Sequence, residues 1–202
     1  GGNSVGIPGT PALMKSAHRR WGKIDWEKLF SEAIALAESG FFVSDRLAKM
    51  IKRDGRRLKK FPRTSHYFFP NGKALEAGEK LGNKAYAKTL RSIAQEGISV
   101  FYRGRIAVDI IETVGSATGN KNTIVRGDLA NYKVVERRPV CKVYRSYKVC
   151  GMGPPSSGAI AIGQILGIIE NYNISSLGPT SPEAWRLIGD ASRLAFADRA
   201  KY

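Results

Sequence analysis

Few residues in this chain have types suited to chemistry: two histidines (His18 and His66), two cysteines (Cys141 and Cys150), the pair Ser156-Ser157 and the run Gly151-Met152-Gly153. The members of a Ser-His-acid triad need only meet in space. Here neither histidine stands in a serine or acid motif, and the serine pair is not set in a Gly-x-Ser-x-Gly elbow. Gly151-Met152-Gly153 follows an expected strand and precedes an expected helix, the context of a phosphate-cradling loop. The next residues are Pro154 and Pro155, which lack the backbone N–H donors such a loop needs, and no P-loop lysine follows. A capping role suits Ser156 and Ser157 better than a nucleophilic one. No His, Cys and carboxylate cluster has metal-ligand spacing, so no metal and no cofactor is expected.

The cysteines are informative through register. Val140 to Tyr144 and Tyr147 to Cys150 read as two strands around Arg145-Ser146. With those two residues as the hairpin loop, Tyr144 faces Tyr147 and Cys141 faces Cys150. Parity makes the cysteines a non-hydrogen-bonded pair, with Cα atoms about 4.5 Å apart, at the short end of the disulfide range. A cross-strand disulfide is one reading; two reduced, half-buried thiols are the other.

The surrounding elements follow from caps and periodicity. The opening, Gly1 to Pro11, is rich in Gly and Pro and reads as irregular. Asp25 reads as the N-cap of a helix with Trp26, Leu29, Phe30, Ala33, Ile34 and Ala37 on one face, ended by Gly40. Ser44 caps a basic helix that ends by Pro62, and Pro62 to Gly82 is turn-rich, with Pro70-Asn71-Gly72 a tight turn. Asn83 caps a helix closed by Gly97; another follows with Ile106, Ile110, Ile111 and Val114 as its stripe. Gly115 to Gly127 reads as loop and Tyr132 to Val135 as a strand. Ser156-Ser157 lead into a buried apolar helix from Gly158. Ser181-Pro182-Glu183 opens the last helix, with Trp185, Ile188, Ala191, Leu194 and Ala195 inward. Helices outnumber strands without regular alternation, and the class is α+β.

The 33 Lys and Arg against 17 acids leave a net charge of +16. That balance points to nucleic acid, anionic membrane surfaces or an acidic partner. Much of it gathers in Lys49 to Arg63, where the ordinary reading is the solvated face of an amphipathic helix. A single-strand nucleic-acid surface would interleave aromatics; only Phe61, His66 and Tyr67 are nearby, where the helix has ended, so nucleic acid is not favoured as a partner. The longest apolar stretch, Ala159 to Ile169, is too short to span a bilayer.

Several segments, in order, resemble the large subunit of the γ-glutamyltransferase (γ-glutamyltranspeptidase) family of the N-terminal nucleophile hydrolase superfamily. They are Gly1 to Thr10; Trp21 to Leu29; Ala33 to Phe41 with Val43-Ser44; Leu90 to Gly97 followed by Phe101-Tyr102-Arg103-Gly104; and Asp128 to Tyr132. The most specific is Gly153-Pro154-Pro155-Ser156-Ser157-Gly158-Ala159, similar to the family's Pro-Pro-Pro-Ser-Ser-Gly-Gly. Gln164-Ile165-Leu166, Glu170-Asn171-Tyr172 and Ala195 to Arg199 continue the match. Gly153 and Ala159 depart from the family's proline and glycine.

The resemblance implies a mostly helical α+β fragment of a four-layer αββα sandwich. Residues 1–202 would be one large-subunit domain, incomplete without the small subunit cut from the same precursor. In that family an N-terminal Thr, exposed by self-cleavage, attacks the γ-glutamyl carbonyl of glutathione or a related amide. Backbone N–H groups hold the oxyanion, and water or an amino-acid acceptor takes the acyl group. Related members act on cephalosporin side chains or poly-γ-glutamate. The chain would begin after the arginine that grips the substrate carboxylate and end before the cleavage site. No catalytic residue is therefore carried over, no substrate-binding residue is assigned, and the chain alone is expected to be inactive. Pro154, Pro155, Ser156, Ser157 and Gly158 take a structural role as a turn. The family implies a periplasmic or extracellular location. The alternative is a catalytically inactive basic binding module from a split or decayed gene.

Overall fold

The computed structural model describes residues 2–117 and 124–201. Gly1, residues 118–123 of the loop expected over Gly115 to Gly127, and Tyr202 lie outside the described residues. The chain divides into two compact units, 1–134 and 135–202.

The first unit is helical. A short 3₁₀ turn (Gly2–Ser4) leads to α1 (Thr10–Trp21), entered through Pro11 in its first turn, where a missing N–H costs nothing. Tyr102 anchors this entrance: its hydroxyl donates to Pro8 O at 2.6 Å and accepts from Ala12 N at 3.2 Å. Burial raises its pKa above the ordinary phenol value, against a lowering by the Ala12 amide and with a further rise from Tyr132. The helix expected from Asp25 begins later. Asp25 pairs with Lys28 at 3.1 Å, a 3₁₀ turn covers Glu27–Phe30, and α2 runs Ser31–Ser39. Trp26, Phe30 and Ile34 do pack together with Leu90, Ile93 and Ala94, whereas Leu29 is 49% exposed.

Gly40 ends α2 at φ 81°, a left-handed conformation open to glycine, and turns the chain into β1 (Phe41–Phe42). Ser44 Oγ accepts from Leu47 N, capping α3 (Asp45–Leu58) as expected. Pro62 does not lie in a turn; it starts α4 (Pro62–Phe68), again as a first-turn proline. Asn71, at φ 55°, makes the tight turn Pro70–Gly72. β2 (Lys80–Leu81) pairs antiparallel with β1. Asn83 Oδ1 accepts from Tyr86 N at 2.8 Å to cap α5 (Lys84–Glu96), which Gly97 closes. After α6 (Ser99–Tyr102), α7 (Arg105–Gly115) places Ala107 and Val114 in a core with Ala12, Tyr102, Ile124 and Leu129. Leu129 belongs to α8 (Arg126–Ala130), so the expected loop is shorter than Gly115 to Gly127. Tyr132 to Val135 is not a strand: among the described residues no partner strand pairs with it. Tyr132 instead stacks on Tyr102, ring centroids 5.7 Å apart.

The second unit is a hairpin on two helices. β3 (Val140–Tyr144) and β4 (Tyr147–Gly151) pair in the register Tyr144 to Tyr147 and Cys141 to Cys150. The cysteines form a disulfide across Cα atoms 4.1 Å apart. The hairpin packs on α9 (Gly158–Ile169), which packs on α10 (Pro182–Lys201). Ser181 Oγ accepts from Ala184 N to cap α10. Small buried residues, Ala161 on α9 and Ala184, Ala191 and Ala195 on α10, let helices approach closely. Trp185 and Leu194, expected inward, are 62% and 60% exposed. The inward stripe is the alanine row, and the large side chains flank it. Nor is α9 buried throughout: Ala161 and Ile169 are, while Ile160 and Ile162 face solvent.

Candidate functional site

The structural turn anticipated at residues 154–158 is where the second unit changes direction. Gly153 O accepts from Ser156 N at 3.1 Å, closing a turn with Pro154-Pro155 at its centre and a cis bond between the prolines, the geometry of a type VI turn. The prolines withhold two N–H groups, so no phosphate cradle forms. The two residues that depart from the family signature are accommodated locally. A side chain at Gly151 would put its Cβ 2.9 Å from Ala159 Cβ, so the alanine at 159 fits because position 151 is glycine. A Cβ at Gly153 would lie 3.0 Å from Val140 Cγ2, tighter than ordinary packing allows.

Below the turn, Pro154, Pro155, Ser157, Gln164, Asp198 and Arg199 are among the residues lining a cleft of about 730 Å³. Ser157 occupies the N-cap position of α9, yet its side chain makes no capping bond. Its Oγ instead accepts from Arg199 Nε at 2.7 Å, which corrects the expected capping role: a guanidinium is the stronger donor. About two turns further along α9, Gln164 Nε2 donates to Asp198 Oδ2 at 2.8 Å. The Arg199 guanidinium lies 5.6 Å from the Phe196 ring centroid. α9 and α10 are therefore cross-tied by two side-chain bonds that line one cleft.

That arrangement ties α9 to α10. A serine nucleophile needs a base to take its proton, and Ser157 faces a permanently charged donor. The cleft lining includes no histidine. His18 Nε2 is held by Ile24 O at 2.7 Å, with the ring edge-on to Trp26, and His66 is exposed on α4. Among the described residues, no group of three or more His, Cys, Asp or Glu could hold a metal ion.

The opposite end of α9 clamps the hairpin. Glu170 Oε1 accepts from Arg145 N at 3.0 Å, and Glu170 Oε2 pairs with Lys142 Nζ at 3.4 Å. Arg145 sits at φ 53° in the hairpin loop, and the Glu170 carboxylate holds that residue's N–H. The Arg145 amide, ahead of smaller effects from Lys142, lowers the Glu170 pKa below the ordinary carboxylate value. Lys142 reaches it by running its stem over Gly163 and Gly167, a cation that snorkels along a helix. Register foretold the hairpin, but these long-range ties between α9, α10 and the hairpin had no local signal in the sequence.

Comparison with known proteins agrees with this architecture. The sequence matches the Gamma-glutamyltranspeptidase family over residues 1–202. It is 38% identical over 198 residues to the glutathione hydrolase proenzyme of Escherichia coli (strain K12), covering 98% of this chain and 34% of that protein. It is 36% identical over 200 residues to the Acylase ACY 1 proenzyme of Pseudomonas sp. (strain SE83), covering 99% and 35%. The chain thus spans about a third of the length of these curated relatives. The Helicobacter pylori gamma-glutamyltranspeptidase crystal structure superposes with a TM-score of 0.88 at 36% identity, covering 98% of this chain and 56% of that one. The architecture is α+β and mostly helical, with the N-terminal nucleophile hydrolase fold of its structural relatives. The chain belongs to the gamma-glutamyltranspeptidase family.

Proposed function

We propose that the chain is the scaffold portion of a γ-glutamyltransferase or glutathione hydrolase. The intact protein cleaves γ-glutamyl amides, glutathione among them, through a Thr acyl-enzyme and passes the glutamyl group to water or an amino-acid acceptor. The observation that carries this reading is the match over the whole chain to enzymes of that family. The cleft supports the division of labour, since Ser157, Arg199, Gln164 and Asp198 are engaged in cross-ties and its lining holds no histidine to serve as a base.

In this reading the nucleophile belongs to a small subunit cut from the same precursor, the two subunits share a four-layer αββα sandwich, and residues 1–202 alone are inactive. The incompletely covered α9, with Ile160 and Ile162 exposed, supports a covering subunit, because a helix apolar on every side is ordinarily buried. The working location is periplasmic or extracellular. The disulfide supports it, since such bonds persist in oxidising compartments; recovery of the protein in the cytosolic fraction with both thiols free would refute that location.

The identity to Acylase ACY 1, close to that of the glutathione hydrolase, together with the structural likeness to the cephalosporin acylase from Bacillus halodurans, TM-score 0.84 at 27% identity, favours a second reading, in which the amide cleaved belongs to a cephalosporin side chain. Steady-state kinetics of the complete gene product on a γ-glutamyl anilide and on a cephalosporin side-chain amide separate them. The first reading expects the larger kcat/KM on the γ-glutamyl compound, with a rate increase on adding an acceptor amine. Turnover of neither would leave an inactive basic binding module as the account of the chain.

A further inference from the structure

The charge of the first unit is organised. From Asp45 to Arg63 there are nine cations (Arg46, Lys49, Lys52, Arg53, Arg56, Arg57, Lys59, Lys60 and Arg63) against Asp45 and Asp54, a net of +7 in nineteen residues of a chain carrying +16. α3 turns one face to the core through Ala48, Ile51 and Gly55. At 100° per residue, the six cations within α3 (Arg46, Lys49, Lys52, Arg53, Arg56 and Arg57) fall on the remaining face; Lys59 and Lys60 follow its end, Arg63 opens α4, and all nine residues are exposed. That face runs about 21 Å along the axis. Local acids neutralise only part of it. Asp54 pairs with Arg53 and Arg57, and Glu76 with Lys52. Lys49, Arg56, Lys60 and Arg63 make no ion pair among the described residues.

We propose that this face is a docking surface for an anionic lipid bilayer. Clusters of four to eight cations on an amphipathic helix are drawn to acidic headgroups, and a straight helical face suits a plane. Phe61, 61% exposed between Lys60 and Pro62 just past the end of α3, is an apolar side chain of the kind that interfacial helices turn toward the acyl boundary. A nucleic acid fits less well. No aromatic is interleaved among the cations of α3 to stack on bases, and, resting on the periplasmic or extracellular location proposed above, which the Cys141–Cys150 disulfide supports, membrane surfaces are the extended polyanions the chain meets. The apolar face of α3 is committed to the core, so the contact is superficial and electrostatic. It is therefore reversible and weakened by salt.

The test is co-sedimentation of the intact protein with vesicles of phosphatidylglycerol and phosphatidylcholine in equal parts, against phosphatidylcholine alone. Binding is expected only to the anionic vesicles, falling steeply as salt is raised. The triple variant K49Q/R56Q/K60Q should bind about 100-fold more weakly, at roughly 1 kcal/mol per cation, with an unchanged melting temperature. K49R/K60R, which keeps the charge, should bind as the parent does. Equal binding to neutral vesicles, or undiminished binding by the triple variant, would overturn the proposal. So would tighter binding to a DNA duplex or an acidic polypeptide than to the vesicles at equal anionic charge. Because the readout is sedimentation, its failure is distinct from a failure of the enzymatic reading.

Discussion

Arg199 Nε donates to Ser157 Oγ at 2.7 Å, joining the last turn of α10 to the N-cap of α9 across 42 residues of sequence. The bond gives a hydroxyl of the signature turn, one that lines the cleft, a permanent cationic donor. A hydroxyl so held is a strut. With Gln164 and Asp198 as the second tie, it fixes the angle at which α9 leaves the turn, and with it the seat of the hairpin.

Ser157→Ala removes the acceptor and leaves Arg199 partly solvated. The expected cost is about 0.5–1.5 kcal/mol of stability, a fall of roughly 2–4 °C in melting temperature per kcal/mol for a chain this long. γ-Glutamyl hydrolysis by the intact protein should persist. Abolished turnover at an unchanged melting temperature would show that the hydroxyl takes part in chemistry.

Gly151 and Ala159 form a size-matched pair, one supplying the space the other fills. Gly151→Ala brings two Cβ atoms to 2.9 Å and is expected to cost about 1–3 kcal/mol. Adding Ala159→Gly relieves the clash, so the double variant should be more stable than the Gly151→Ala single. A double-mutant cycle by chemical denaturation measures this; additive costs would show that the contact is not the reason for the glycine.

These relationships divide what is legible in the sequence from what is not. Ser44, Asn83 and Ser181 are readable as caps because each cap is a bond to an N–H three residues on, and register is readable because it is counted outward from a two-residue loop. The α1 and α4 helices carried a local signal, a proline in the first turn at Pro11 and Pro62, that composition obscured: one follows a Gly- and Pro-rich opening and the other a run of cations. The expected strand at Tyr132 to Val135 has strand-forming residues but no partner, and pairing is what makes a strand. The exposure of Trp185 and Leu194 depends on alanines winning the inner face of α10, which periodicity alone cannot decide. The turn at Pro154 to Gly158 is visible as a motif, whereas Arg199 and Asp198 reach it only through the fold.

The hairpin clamp at Glu170 should respond to pH. Its carboxylate is favoured in the folded state, chiefly by the Arg145 amide, so its folded pKa lies below the unfolded value. A depressed carboxylate pKa contributes stability above the unfolded pKa, and the contribution is lost as pH falls through the folded one. The melting temperatures of the parent and Glu170→Gln should differ by a constant amount from neutral pH down to about pH 5 and converge below the ordinary carboxylate range. A difference that grows on acidification would contradict the clamp.

The central claim is that residues 1–202 are scaffold for a self-processing acyl-transfer enzyme. The most direct test is the intact mass of the complete gene product, followed during incubation after purification. The account predicts that one chain becomes two, the smaller beginning with Thr, and that γ-glutamyl hydrolysis rises in step. A single unprocessed chain that hydrolyses no γ-glutamyl amide would contradict it.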